Sequence, residues 1–283
     1  MSSTGKDLRG KVSMTAQVSL DSVIEIAKRA GQAIMTVRER DFDVEEKEDH
    51  SPLTEADMAA HGVIRDALLR LTPQWPILSE ESSAAEIEQR GQWSTYWLVD
   101  PLDGTKEFIR RSDEFTVNIA LIQDHVPVMG IILAPASGIC WYGSAGQGAF
   151  MEMQGETRRL QCAPADPEAQ LRVVGSRSHK GASTEALVER LRASEWQGIG
   201  SSLKFCLIAE GRADFYPRLG PTSEWDTAAA QLVLEEAGGS VREMNEQGEI
   251  GERLRYNTRD GLLNPYFAAA AVTDDVEAFV GLR

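Results

Sequence analysis

Basic residues are scarce in this sequence: 29 Lys and Arg stand against 44 Asp and Glu over 283 residues, a formal net charge of −15 at pH 7. A chain this acidic has no sequence-wide cationic footprint for nucleic-acid phosphates or anionic lipid, so a nucleic-acid scaffold is disfavoured. Cysteine is scarce too. Cys140, Cys162 and Cys206 are odd in number and lack C-x-x-C spacing, which argues against a disulfide framework or a zinc–thiolate site and leaves reduced thiols as the expectation. No run of about 18 apolar residues is present to span a bilayer, and the opening MSSTGKDLRGKVSM lacks the apolar core of a secretory signal. The expectation is a cytoplasmic protein without an integral membrane segment, whether or not it also touches the cytoplasmic face of the inner membrane. Nothing in the pattern sets an oligomeric state.

The hydrophobic share of 42% and charged share of 26% are those of a soluble globular chain, long enough for one large domain or two fused smaller ones. From Asp21 to Arg40, Val23, Ile24, Ala27, Ala30, Ile34 and Val37 follow one helical face. Asp41 to Pro52 is charged and aperiodic and ends in Ser51-Pro52, a loop or hairpin. A second helix is expected from Thr54 to about Leu71, stopped by Thr72-Pro73. Short apolar runs at Pro76–Leu78 and Tyr96–Val99 each lead into acidic residues. Phe115–Ile122, Val126–Leu133, Ile139–Tyr142 and Ala149–Met153 then read as an antiparallel meander, with Gly143 to Gly148 as a hairpin. Met153 to Gln170 has no clear period and marks a lobe boundary, giving an N-terminal α/β lobe over 1–157 and a C-terminal α/β lobe over 158–283. In the second lobe, strands are expected at Leu171–Gly175, Ala213–Tyr216 and Phe267–Val272. Helices are expected at Thr184–Ala193, Ser202–Glu210 and Asp226–Ala237. His50, His61 and His125 read as surface residues, and the tryptophans as core.

Acidic residues recur where strands end. Trp97-Leu98-Val99 runs into Asp100-Pro101-Leu102-Asp103-Gly104-Thr105, Ile77-Leu78-Ser79 into Glu80-Glu81, and Trp225-Asp226 opens a helix-like segment. Each has a plain structural reading: Asp-Pro and Asp-Gly favour turns, Glu80 and Glu81 suit a solvated strand end, and Asp226 suits an N-cap. Together they need a different account, because two carboxylates about 5 Å apart repel by roughly 3 kcal/mol at an effective dielectric near 20. Convergence of several calls for bound cations, and an oxygen-only ligand set favours Mg²⁺ over Zn²⁺, with positions left for water and substrate phosphate. Gly104 and Thr105 open a short helix, Thr105 to Arg110, whose N-terminal N–H groups suit an anion. Thr54-Glu55-Ala56-Asp57 has capping-box spacing, which alone favours a cap for Asp57. No P-loop or dinucleotide glycine motif occurs.

The combination of Ser51-Pro52-Leu53-Thr54-Glu55-Ala56-Asp57, Ser79-Glu80-Glu81-Ser82, Asp100-Pro101-Leu102-Asp103-Gly104-Thr105 and Trp225-Asp226-Thr227-Ala228-Ala229 resembles the inositol monophosphatase superfamily of lithium-sensitive, Mg²⁺-dependent phosphatases. The spacing is D-x-x-D, not the D-x-D of haloacid-dehalogenase-type phosphatases, so neither aspartate is implied as a covalent nucleophile. Within the superfamily, Gly104 to Phe108, Gly175 to His179 and Gly200 to Cys206 look like the CysQ-type 3'(2'),5'-bisphosphate nucleotidases. The resemblance implies a layered αβαβα sugar-phosphatase-like fold with two α/β lobes. It implies that Glu80, Asp100, the Leu102 carbonyl, Asp103 and Asp226 hold two Mg²⁺, with Asp57 near a third, weaker one. The catalytic residues implied are Asp57, Glu80 and Thr105, a water losing its proton through Thr105 toward Asp57 or Glu80 as it attacks the 3'-phosphate. His179 would lie against adenine, and Gly104, Thr105, Ser201, Lys204, Arg218 and Asp226 would contact the phosphorylated nucleotide. The implied reaction is hydrolysis of adenosine 3',5'-bisphosphate to AMP, and action on its sulfated analogue, in sulfur metabolism. An inositol or sugar-phosphate phosphatase shares the metal motifs and is the alternative enzyme; a non-catalytic metal or nucleotide sensor is the alternative outside enzymes.

Overall fold

The computed structural model describes residues 18–40, 44–46, 52–164, 166, 168–177 and 181–282. Helix α1 (Leu20–Arg38) buries Val23, Ile24, Ala27, Ala30, Ile34 and Val37, with Asp21 in its first turn and Arg38 in its last, the charge order a helix dipole favours. Strands β1 (Val44–Glu46) and β2 (Pro52–Thr54) pair as an antiparallel hairpin in the segment between the helices. Helix α2 (Glu55–Leu71) starts on Thr54 and stops at Thr72, ahead of Pro73.

A seven-stranded sheet follows the sequence in order: β3 (Ile77–Ser79), β4 (Thr95–Asp103), β5 (Thr116–Gln123), β6 (Val126–Ala134), β7 (Ile139–Ser144), β8 (Gly148–Met153) and β9 (Glu156–Arg159). Strands β3 and β4 are parallel and all later pairs antiparallel, the expected meander. The parallel step is bridged by α3 (Ala84–Gln89), and α4 (Thr105–Ile109) follows β4. Strand β9 spans residues 157 and 158, so this sheet ends at Arg159.

The second sheet collects β10 (Leu171–Ser176), β11 (Ser194–Ile199), β12 (Phe215–Arg218), β13 (Ser240–Met244), β14 (Ile250–Arg253) and β15 (Phe267–Ala270) in the order β11-β10-β12-β15-β13-β14. Its helices are α5 (Ala182–Arg190), α6 (Leu203–Ala209), α7 (Ala228–Glu236) and α8 (Val276–Val280). Period-two alternation assigns each strand face to a layer. Trp97 and Val99 on β4, with Val117, Ile119 and Leu121 on β5, pack with α1 and α2. Tyr96, Leu98, Ala120 and Ile122 face the other way, onto α6, α7 and the inner face of the second sheet through Tyr216, Phe267 and Ala269. Phe215, Ala268 and Ala270 point outward to α5 and α8. The layers are therefore αβαβα, and sheets covered on both faces explain the near-continuous apolar strands. Helix α7 lies directly on the first sheet at Gly130, where an added Cβ would sit 2.4 Å from the Ala229 carbonyl oxygen.

Several local expectations need correction. Asp226 does not open the long helix; it closes a 3₁₀ turn, Glu224–Asp226, ahead of α7. His61 is half-buried with Nδ1 3.0 Å from the Ser79 Oγ, whereas His125 is exposed as expected, its Nδ1 2.9 Å from the Tyr256 carbonyl. His50 lies outside the described residues. Trp75, Trp97 and Trp141 are core, whereas Trp93, Trp196 and Trp225 are half-buried. The three cysteines are buried and unpaired, and burial pushes the Cys140 and Cys162 thiols up to about 12. No helix among the described residues is long and apolar enough to cross a membrane.

Candidate active site

The acidic motifs meet where β3 and β4 end. Leu78 pairs with Leu98 in parallel register, and the Glu80 N–H continues the ladder to the Val99 carbonyl at 3.1 Å. Two residues beyond a paired position the side chain points to the same face, so Glu80 and Asp100 come out side by side on the face of Leu78 and Leu98. Asp103 is three residues past Asp100 and in a regular strand would point away. The register shifts between them, with Asp100 opposite Asn118 and Asp103 opposite Thr116. Three steps on β4 against two on β5 is a bulge, and one extra residue returns Asp103 to the face of Asp100. The D-x-x-D spacing thus depends on a bulge. The Asp100 Oδ1 accepts the Leu102 N–H at 2.9 Å, which shapes the turn while the Leu102 side chain is buried.

Gly104 closes the turn at φ +93, and an added Cβ would meet the Glu114 carbonyl oxygen at 3.0 Å; only glycine fits. Thr105 Oγ1 then lies 3.3 Å from Asp57 Oδ1 and 3.3 Å from the Leu102 carbonyl. Asp57 is 1% exposed, and its Oδ2 accepts from the Thr54 N–H at 2.7 Å and the Thr54 hydroxyl at 2.6 Å. The capping box and the site contact coexist, one carboxylate oxygen serving each.

A cleft of roughly 170 Å³ is lined by Asp103, Gly104, Ser201, Lys204, Arg218 and Asp226, among others. Lys204 is 7% exposed, its Nζ donating to the carbonyls of Ser201 and Ile199 and lying 5.3 Å from the Tyr216 ring centroid. Burial lowers it to about 8, with Asp103 pulling upward and Arg218 downward. Arg218 Nη2 donates to the Pro221 carbonyl at 2.7 Å, while its Nε and the Ser201 hydroxyl are buried without a partner among the described residues. Ser201 holds a left-handed φ of +46 at the mouth of α6. His179 lies outside the described residues. Residues not foreseen from sequence also line the cleft, among them Lys106, Ser176 and Tyr216. Beneath it, the Ser202 N–H and the Asn118 side chain act on the Asp103 carboxylate, and the Ser202 hydroxyl links to Asn118 Oδ1 and Thr116 Oγ1, both at 2.8 Å. Asn118 was not foreseen from the sequence; the pairing of β4 with β5 sets it opposite Asp100.

The carboxylates feel one another strongly. Burial, then Glu80, Asp103, Asp226 and Asp57, push Asp100 well above the usual range. Burial, then Asp103 and Glu80, raise Asp226 to about 8 against the Ser223 N–H and Arg218. Among the described residues no three acidic, histidine or cysteine side chains already close as a formed ion cage. The donor chemistry nevertheless fits Mg²⁺: facing oxygens, no soft ligand, and repulsion that a cation relieves. A pH dependence follows. Unfolded aspartate titrates near 3.9, so between about pH 4 and 8 the fold keeps protons the unfolded chain has lost, and cation-free stability falls as pH rises through that window. Calorimetry in EDTA is expected to show Tm falling across it, with millimolar Mg²⁺ removing most of the fall. A Tm that is flat or rising in EDTA would contradict the clustering.

The sequence profile of the inositol monophosphatase family matches residues 16–278. The chain belongs to that family. Among curated family relatives, the 3'(2'),5'-bisphosphate nucleotidase CysQ of Escherichia coli K12 is 46% identical over 250 residues, 88% of this chain and 98% of that protein. The crystal structure of CysQ from Bacteroides thetaiotaomicron, a bacterial family member, matches with a TM-score of 0.75 at 36% identity, covering 93% of this chain and 100% of that one. The Thermotoga maritima IMPase matches with a TM-score of 0.70 at 25% identity, over 93% and 92% of the two chains. The layered fold with two sheets is that of these family structures.

Proposed function

We propose that this chain is a Mg²⁺-dependent 3'(2'),5'-bisphosphate nucleotidase that hydrolyses adenosine 3',5'-bisphosphate to AMP and phosphate, acts also on the sulfated analogue, and clears a by-product of sulfate assimilation. The observation that carries it is one cleft lined by both signs of charge, Asp103 and Asp226 together with Lys204 and Arg218. A phosphomonoester held through cations needs only the carboxylates; a ligand with a second, non-scissile phosphate needs fixed cations as well. The relatives named as bisphosphate nucleotidases support the same reading.

Glu80, Asp100, the Leu102 carbonyl, Asp103 and Asp226 would hold two Mg²⁺, with Asp57 beside a third, weaker one; the raising of Asp100 by Glu80, Asp103, Asp226 and Asp57, and of Asp226 by Asp103 and Glu80, supports this, not a preformed cage. Bound Mg²⁺ supplies Lewis acidity and neutralises phosphoryl charge. The chain's own residues do the rest. With its proton directed at Asp57 Oδ1, the Thr105 oxygen is free to accept from an attacking water. That water adds to phosphorus in line, its proton passes to Thr105, and the Thr105 proton moves on to Asp57 or Glu80. The P–O3' bond breaks, and the 3'-oxygen leaves protonated from solvent. No carboxylate is phosphorylated.

Selectivity tests the substrate. A charge-assisted hydrogen bond is worth about 1.5–3 kcal/mol, so Lys204→Ala and Arg218→Ala are each expected to raise KM for adenosine 3',5'-bisphosphate by roughly 10- to 100-fold while leaving inositol 1-phosphate hydrolysis little changed. Equal effects on both substrates would remove the nucleotide assignment. A panel adding fructose 1,6-bisphosphate separates this reading from a sugar phosphatase, and phosphate release abolished by EDTA separates it from a sensor.

A further inference from the structure

We propose that Glu224 is a positioning residue for Asp226, holding the turn that presents it to Mg²⁺; this rests on the reading of Asp226 as a metal ligand. Asp226 ends a 3₁₀ turn of only three residues, Glu224–Asp226, too short to be rigid by itself. Its Oδ2 is committed to the Ser223 N–H at 2.9 Å, leaving Oδ1 for the cleft. The direction of Oδ1 is therefore set by whatever fixes the turn.

What fixes it is a strap wound around its back. Glu224 is 1% exposed, and both its carboxylate oxygens accept from the Asn257 N–H, at 2.8 and 2.9 Å. Its own N–H donates to the Leu262 carbonyl at 2.8 Å, and its carbonyl accepts the Thr227 hydroxyl at 3.2 Å. Asn257 adopts φ +53, a conformation costing on the order of 1 kcal/mol that persists only where the surroundings enforce it. That conformation accompanies two contacts: its N–H meets Glu224, and its side chain exchanges hydrogen bonds with Arg90, Nδ2 to the Arg90 carbonyl and Arg90 Nη1 to Oδ1, both 2.6 Å. The Arg90 guanidinium also gathers the carbonyls of Arg259, Asp260 and Gly261. At the far end of the strap, Asn264 Nδ2 reaches the Ser223 carbonyl at 2.7 Å. Asn257 and Asn264 thus clamp the turn from two sides.

Packing alone does not call for a carboxylate here. Burial raises Glu224 to about 7, with the Asn257 N–H, Arg90 and Arg259 pulling it back down; no basic side chain pairs with it among the described residues, and a buried carboxylate without an ion pair is costly. An apolar side chain would fill the space more cheaply, but only a carboxylate here, two residues from the ligand it steadies, offers both oxygens as strong acceptors to the Asn257 N–H. Groups behind a metal ligand typically change metal affinity by about 10- to 100-fold.

The test is Mn²⁺ binding to the full-length, substrate-free protein, followed by electron paramagnetic resonance of free Mn²⁺, on wild type, Glu224→Gln and Asn257→Ala. Asn257→Ala keeps the Glu224 charge and removes the Arg90 clip, so it separates positioning from the field of a nearby negative charge. The expected result is about tenfold weaker Mn²⁺ binding in both variants, with the Mg²⁺ concentration for half-maximal phosphate release raised alike. At saturating Mg²⁺, kcat should recover to within about threefold and KM for the nucleotide should stay unchanged. Unchanged binding in both variants, or weakening in Glu224→Gln alone, overturns the proposal. Should Glu224→Gln misfold, Asn257→Ala decides. Wild-type protein that binds no Mn²⁺ would overturn the metal reading and this proposal together, whereas bound Mn²⁺ without nucleotide hydrolysis would remove only the substrate assignment.

Discussion

Asp100→Asn is expected to lower kcat/KM for adenosine 3',5'-bisphosphate by three orders of magnitude or more, about 4 kcal/mol of transition-state stabilisation, in a chain that melts no lower than wild type when Mg²⁺ is absent. The two halves have one cause. Asp100 is 1% exposed and faces Glu80, Asp103, Asp226 and Asp57, so its charge is destabilising until cations share the site. The amide keeps the volume and can keep the Oδ1 contact to the Leu102 N–H, 2.9 Å in the native chain, while removing the charge. Cation-free stability at neutral pH should therefore hold or rise, and the additional stabilisation by Mg²⁺ should shrink. Phosphate release over a Mg²⁺ series, paired with Tm in EDTA and in Mg²⁺, checks both. Activity within tenfold of wild type would show that Asp100 holds no metal. A variant that unfolds would show that its carboxylate is structural.

How much of this was legible depended on burial and on spacing. α1 and α2 were readable because each buries a single stripe, and the meander because sheets covered on both faces concentrate apolar residues. Strand β11 was not. Its sequence, Ser194–Ile199, lies at a sheet edge with no residue fully buried, so no apolar run marks it. β9 was missed for the same reason, all four of its residues being exposed. β13 and β14 carry several charged residues, including Arg242, Glu243, Glu252 and Arg253, that hide the period. In the site, the carboxylates could be found because strand ends put them near each other in the text. That Asp100 and Asp103 share a face could not, because the bulge between them is a property of the pairing with β5. Asn118, Ser202, Glu224 and Asn257 act through buried hydrogen bonds to partners distant in sequence, which no spacing reveals. Lys204 and Arg218 lie 14 residues apart in sequence and meet only because α6 and β12 pack together through Phe205 and Tyr216, ring centroids 5.3 Å apart.

Asp57→Asn is expected to reduce kcat by about 10²- to 10⁴-fold, the range for losing a positioned proton acceptor, with little change in KM or Tm. The division of labour within Asp57 makes this sharp. Oδ2 answers the two Thr54 donors that cap α2, at 2.7 and 2.6 Å, and Oδ1 answers Thr105. Asparagine has one oxygen. Directed at Thr54, it preserves the cap, and the amide nitrogen then faces Thr105 and donates to it. The Thr105 hydroxyl is left to turn to its other acceptor, the Leu102 carbonyl at 3.3 Å, and can no longer pass a proton onward. Thr105→Ala removes the other half of the same relay and should cost a similar factor, whereas Thr105→Ser should restore most activity. Because the two residues act as a unit, the double variant should be little worse than either single one. Single-turnover phosphate release on the four variants measures this. Multiplying losses in the double variant would mean that Thr105 and Asp57 work independently, and an Asp57→Asn enzyme within threefold of wild type would return Asp57 to its cap alone.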